Sequence, residues 1–426
     1  MNILIKNITN LVTCSGGYPK TKDLLKEAGV IEKGYVFIKE DIIEAVGSCD
    51  EYKKYLKEAD VVIDGKGKTV TPGLIDSHTH LVYAGSREKE LPLKLQNMKY
   101  IDILNAGGGI LSTVRNTRAA SLVELKRESK KRLDLMLLHG TTTAESKSGY
   151  GLNFKDEIKI LETNKSLNKI HPIDIISTYL GAHAIPEEFK DNRDGYISLM
   201  IDEIIPYIKR NNLAEFADCF CEEGVFTVEE SRRILSSAKD LGLKIKLHVD
   251  EVESIGGAEL AGELKATSAE HLVAASDEGI KALAENGVVA VLLPTTSFYL
   301  MLGKFARARK MIEEGVAVAL ATDCNPGTSP TESLQTTMTF ACFGLKMLPA
   351  EIINAMTINA ACAIGREKEI GSIEVGKKAD IAIFNANNLD YLIYHFGVNA
   401  IDTVIKNGIL VVQNGKLVYE HSRIYR

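Results

Sequence analysis

Leu74-Ile75-Asp76-Ser77-His78-Thr79-His80, preceded by Val70-Thr71-Pro72-Gly73, is the stretch whose reading decides the architecture. If residues 74–80 are extended, side chains two apart share a face, so the imidazoles of His78 and His80 can reach one metal ion. A His-x-His pair on its own is more often accidental. Here matching groups recur downstream.

Seven further apolar runs each stop at a polar group. Gly140-Thr141-Thr142-Thr143 leads to Glu145, residues 175–180 to His183, and residues 216–221 to Glu222. Residues 244–247 lead to His248, Thr267-Ser268 to His271, 288–293 to Thr295, and 316–321 to Asp323. Between them lie helical patterns such as 122–138, 196–210, 228–241 and 278–286. Alternation of this kind argues for βαβ units and a parallel sheet. Eight strands that each carry a chemical group at the C-terminal end describe the active face of an α/β fold, the (β/α)8 TIM barrel. A doubly wound open sheet is the alternative, but it would gather such groups at one switch point.

The ends of the chain read differently. Short β-branched runs at 2–8, 34–39, 41–46 and 61–64 are echoed at 379–384, 400–406 and 409–413, with Asn407-Gly408 as a type I′ hairpin signal. The expected division is a small β-sandwich domain built from both termini, residues 1–70 plus 371–426, around a metal-dependent barrel at 71–370.

With 51 basic and 57 acidic residues in 426, the net charge is −6 and no long single-sign run occurs. Neither a nucleic acid nor a membrane partner is expected. No apolar stretch approaches the roughly 20 residues that span a bilayer, and the first residues do not form a signal peptide, so a cytoplasmic location is expected. Seven scattered cysteines do not make a disulfide framework. Cys219 and Cys221, two apart in an apolar run, read as buried strand residues rather than as a metal or redox pair.

His248 and Asp323 sit where strands open onto the active face, as His78 and His80 do. Three imidazoles and a carboxylate suit Zn2+ or Fe and leave room for water, whose pKa such an ion lowers from ~16 toward ~7. Hydrolysis is the natural reaction class. Alone, His248 would be a structural histidine and Asp323 a helix cap. Glu251, three residues after His248, and His271 could supply the acid/base pair that amide or amidine hydrolysis needs; the bland alternatives are a solvated loop acid and a histidine that hydrogen-bonds behind the site.

The His78-x-His80, His248, Asp323 set, with Pro72-Gly73-Leu74-Ile75-Asp76 before it and residues 371–380 after it, resembles the amidohydrolase superfamily. Along nearly the whole chain the resemblance is to the imidazolonepropionase family of histidine degradation. It is carried by Gly85-Ser86-Arg87, Gly107-Gly108-Gly109-Ile110, residues 145–152, Leu180-Gly181-Ala182-His183, Phe220-Cys221-Glu222, His248-Val249-Asp250-Glu251 and residues 322–328. The resemblance implies one Zn or Fe ion per chain, held by His78, His80, His248 and Asp323. It also implies hydrolytic ring opening of the small-molecule substrate 4-imidazolone-5-propanoate to N-formimidoyl-L-glutamate. Substrate contacts are implied for Arg87, Tyr150, His183, Glu251, Asn325, Gly327 and Thr328, with His271 near the attacking water, and a homodimer is expected. Two departures are Glu270, where Asp is expected before His271, and Cys324.

The residues support some of these contacts independently. A propionate tail needs a fixed cation and Arg87 offers bidentate geometry, although Arg87-Glu88-Lys89-Glu90 also reads as a charged surface. Tyr150 between two glycines could sit over the site or merely pack in a turn. Gly107 to Gly109 lacks the Lys-Ser/Thr of a phosphate-binding loop. The rivals are an aminohydrolase for cytosine, guanine or a triazine, a dinuclear cyclic amidase with a carboxylated lysine on the fourth strand, and a catalytically silent barrel.

Overall fold

The computed structural model describes residues 1–96 and 108–419; Gly107 lies outside them. Eight strands pair in parallel and in chain order: Leu74–Asp76, Thr141–Lys147, Asp174–Ala182, Phe216–Cys221, Lys244–Val249, Ser268–His271, Val289–Leu292 and Val318–Leu320. The circle is closed just past the ends of the first and eighth strands. There Asp323 N–H donates to the His78 carbonyl (3.0 Å) and His80 N–H to that of Cys324 (2.9 Å). The expected barrel is therefore present and the open sheet is not. Its closing bonds lie among the candidate metal ligands, so closure and site assembly coincide.

Helices pack outside, starting where the sequence supplies caps. Leu122–Leu138 and Val228–Asp240 each begin with a capping box, Ser121 with Glu124 and Thr227 with Glu230. The pattern at 196–210 begins earlier, at Arg193, and widens into a π turn over Met200–Ile204. Pro206 follows at once; it has no N–H for the Asp202 carbonyl and its ring crowds that group, which accounts for the irregularity.

The two ends of the chain meet in a second, mixed sheet. Ile381–Phe384 pairs antiparallel with Thr69–Pro72, which runs parallel to Asn2–Val12. Asn407 (φ 48°) and Gly408 (φ 69°) join Ile401–Lys406 to Ile409–Gln413 as the hairpin signal predicts. One residue, Gly73, separates the two sheets; a Cβ there would lie 2.3 Å from Thr142 Oγ1, so a side chain would wedge the junction open. Lys406, buried, ties the terminal sheet to the barrel through Asp380 (2.6 Å) and Asp174 (2.7 Å). No disulfide occurs among the described residues, and Cys219 and Cys221 are buried in the fourth strand.

Candidate active site

His78, His80, His248 and Asp323 converge at the C-terminal mouth of the barrel, none more than 3% exposed. Nε2 of His78 lies 3.3 Å and Nε2 of His80 3.5 Å from Asp323 Oδ1. Ligand legs of about 2.0–2.1 Å to a tetrahedral ion give separations of about 3.3–3.4 Å, so this spacing suits ligands of one ion. Both ring nitrogens of His78 and of His248, Nδ1 of His80 and Oδ1 of Asp323 are buried without hydrogen-bond partners. Orphaned polar atoms of this kind cost free energy unless something pairs with them. Asp323 Oδ2 is accounted for by the Thr296 hydroxyl at 2.7 Å.

Charge points the same way. Among the described residues, the buried carboxylates Glu145, Asp218, Glu270 and Asp323 outnumber the buried lysines that face them, Lys147 and Lys246, so the barrel interior favours a further positive charge. Asp76 and Glu251 are not counted, because burial pushes them up to about 7 and about 8. Burial works against a charged His78, yet Glu270 and Asp323 outweigh it and bring the imidazole to about 9. A position that attracts a cation so strongly suits a divalent ion.

A cavity of about 410 Å3 opens beside these residues, lined by His80, Arg87, Tyr150, His183, His248, Glu251, His271, Asp323, Asn325 and Thr328. All the expected site residues thus meet, with His78 behind the wall and Gly327 beneath Arg87. Glu251 Oε1 lies 3.7 Å from His271 Nδ1, and Glu222 fixes the Glu251 loop by accepting the N–H groups of Glu251, Val252 and Glu253. His183 stacks on His80 at 4.9 Å, and Tyr150 leans on both rings. Asp250, His271 and Asp323 all have positive φ, near 51°, 72° and 54°. Such backbone at the strand ends accompanies the turn of His271 and Asp323 into the cavity wall.

Two expected contacts look different in three dimensions. Arg87 gives its bidentate Nε/Nη2 edge to Glu90 at 2.9 Å for both bonds, and its Nη1 side faces the 325–328 turn. A Cβ on Gly327 would come within 2.0 Å of that Nη1. The Asn325 amide organises the same turn, accepting from Gly327 N and Thr328 N at 2.8 Å each. Asn325 and Thr328 nevertheless remain in the cavity wall.

The family described as Amidohydrolase family matches residues 220–418. The imidazolonepropionase of Treponema denticola is 59% identical over 388 residues, covering 91% of this chain and 94% of its own. That of Alkaliphilus oremlandii is 56% identical over 98% of this chain and 100% of its own. The chain belongs to the imidazolonepropionase family. Solved structures at under 20% identity share the fold. A variant of the atrazine chlorohydrolase TrzN from Arthrobacter aurescens, complexed with zinc and atraton, superposes with a TM-score of 0.70 (18% identity, 99% and 98% coverage). A zinc-bound adenosine deaminase from Xanthomonas campestris reaches 0.69 (19% identity, 99% and 95% coverage).

In this imidazolonepropionase-family chain the sequence reading missed the charged groups under the histidines and the extra cations at the cavity wall, Lys94 and Arg193. One signal was available for the former. Glu145 and Lys147, Lys246 and His248, and Ser268 and Glu270 are polar pairs two apart within strands, so the members of each pair share a face. For Lys94, in a short helix by the mouth, no such signal exists. The buried lysines near the candidate ligands, Lys147 and Lys246, lie on the second and fifth strands and pair with carboxylates, and the fourth strand, Phe216–Cys221, holds no lysine to match the carboxylated one of a dinuclear cyclic amidase.

Proposed function

We propose that this chain opens the ring of 4-imidazolone-5-propanoate with water to give N-formimidoyl-L-glutamate, the hydrolysis that membership of its family implies. The observation that carries this reading is the gathering of His78, His80, His248 and Asp323, with Nε2 of His78 and His248 and Oδ1 of Asp323 orphaned, beside a cavity bounded by Arg87 and Glu251. One zinc or iron ion held there would supply the Lewis acidity that makes water nucleophilic at neutral pH and polarises the ring carbonyl.

The protein's own groups do the rest. His271, kept neutral by burial, accepts a proton or hydrogen bond from the attacking water. Asp323, brought to about 2 because His78 and Thr296 outweigh its burial, stays ionised as a second acceptor. Glu251, protonated near neutrality, can donate to the departing ring nitrogen. Arg87 and Lys94 give the propionate a positive wall; Tyr150, His183, Asn325, Gly327 and Thr328 hold the ring and tail and exclude water. An aminohydrolase of neutral rings would have no use for that wall.

No described helix is long and apolar enough to cross a membrane. A cytoplasmic location and a homodimer complete the proposal; exposed Phe343 and Phe396, rings 6.0 Å apart, offer an apolar patch for association. The decisive experiment supplies freshly generated imidazolone propanoate to metal-replete protein and follows loss of its absorbance with appearance of formimidoylglutamate. Ammonia released from cytosine or guanine instead would overturn the assignment.

A further inference from the structure

Beneath the histidines, three alternate barrel strands are tied together by one side chain. Lys147, at the end of the second strand, has no exposure and places Nζ 2.9 Å from Glu145, 2.8 Å from Asp218 on the fourth strand and 2.8 Å from Glu270 on the sixth. An ammonium has three N–H donors and no acceptor; Glu145 and Asp218 accept hydrogen bonds from it, and Glu270 forms an ion pair with it.

Two of the three go on to touch candidate metal ligands. Asp218 Oδ2 faces His248 Nδ1 at 3.0 Å, and Glu270 Oε2 contacts His78 Nδ1. Their other oxygens are held as well. Asp218 Oδ1 accepts from Cys219 N (2.7 Å) and His248 N (3.2 Å), and Glu270 Oε1 from Lys246 Nζ and the Ser268 hydroxyl, both at 3.0 Å. With Nδ1 of each ring facing a carboxylate, Nε2 of His78 and His248 is the nitrogen left to turn toward a shared ion. Glu270, the departure noted in the sequence, has the length to span Lys147, Lys246 and His78 together.

We propose that Lys147 is a positioning residue for the metal centre: by clamping Asp218 and Glu270 across the barrel it sets the orientation of His248 and His78. This inference rests on the reading that these histidines bind an ion. It carries a sign that separates it from simple electrostatics. A positive charge beside a divalent cation repels it, so loss of Lys147 through charge alone would tighten binding. Loss of a clamp loosens it.

The test is zinc binding to metal-depleted protein, measured by competition with a chromophoric chelator, with melting of the metal-free protein recorded alongside. The unmutated chain is measured first; failure to take up zinc would sink the metal centre itself, a different failure from that of the clamp. Lys147→Met is expected to weaken zinc binding about 10–100-fold. The double variant Lys147→Met, Glu145→Gln removes the ammonium together with the one partner that touches no histidine and keeps the net buried charge constant; it should weaken binding by a similar factor. Unchanged or tighter binding in a folded variant, with or without a lower melting temperature, overturns the proposal. So does failure of both variants to fold in the presence of zinc, which would make Lys147 a requirement of the barrel rather than of the site.

Discussion

Glu251 shows how one side chain acquires chemistry from its surroundings. Burial, with the Asp323 and Glu222 carboxylates close by, pushes it up to about 8. Between the ordinary carboxyl range and about pH 8, the folded chain keeps a proton that the unfolded chain has released. Glu251 therefore takes away stability progressively as pH rises through that window. Glu251→Gln is expected to raise the melting temperature of metal-free protein at pH 8–9 and to leave it nearly unchanged at pH 4. In the loaded enzyme it should lower kcat by about 10²–10⁴-fold with a much smaller effect on KM. Calorimetry across pH and steady-state kinetics check the two halves, and a pure KM effect would demote Glu251 to a contact. Arg87 makes the opposite point, since its charge is shared with Glu90. Arg87→Ala is still expected to raise KM by at least 30-fold, as losing one partner of a buried charge-assisted contact costs on the order of 2–5 kcal/mol. Should kcat/KM stay within about threefold, below ~1 kcal/mol, the propionate must be held elsewhere. Lys94, whose Nζ donates to the Gly327 carbonyl at 3.1 Å, would be the next residue to change.

At the level of elements, helix starts are read locally and strand roles are not. Thr227 and Glu230 exchange hydrogen bonds at 3.2 and 2.9 Å, and Glu230 also pairs with Arg193 (2.7 Å), which reaches the cavity wall. Thr227→Ala is expected to cost about 0.5–2 kcal/mol, read as a lower urea midpoint with an unchanged slope. Strands behave otherwise because a strand's partner is remote. The runs ending at His183 and Glu222 were legible as strands, but stacking of His183 on His80 and the bracing of the Glu251 loop by Glu222 depend on neighbours in other units of the barrel.

For the molecule as a whole, closing the barrel and gathering the ligands are one event, because Asp323 and His80 donate the bonds that join the eighth strand's end to the first. The excess of buried carboxylates over lysines beneath the site should then make the folded state depend on a bound cation. Removing metal with a chelator is expected to abolish hydrolysis and to lower the melting temperature by several degrees, with zinc restoring both. An ion at a thousand times its dissociation constant contributes ~4 kcal/mol by mass action. Identical melting curves with and without zinc would contradict this.

Several features were legible in the sequence alone: the placing of His78, His80, His248 and Asp323 at strand ends, the barrel, and the sheet formed from both ends. Each rests on a local rule, whether alternation along a strand, an apolar run ending in a polar group, or Asn-Gly in a hairpin. The tertiary structure alone decided that Lys147, Asp218 and Glu270 form one clamp and that Arg87 spends its bidentate edge on Glu90. Lys147 and Asp218 are 71 residues apart and Asp218 and Glu270 a further 52. Strands two, four and six face one another only across a closed barrel. No periodicity within a segment encodes a distance across that interior; it is set by how eight strands tilt and close.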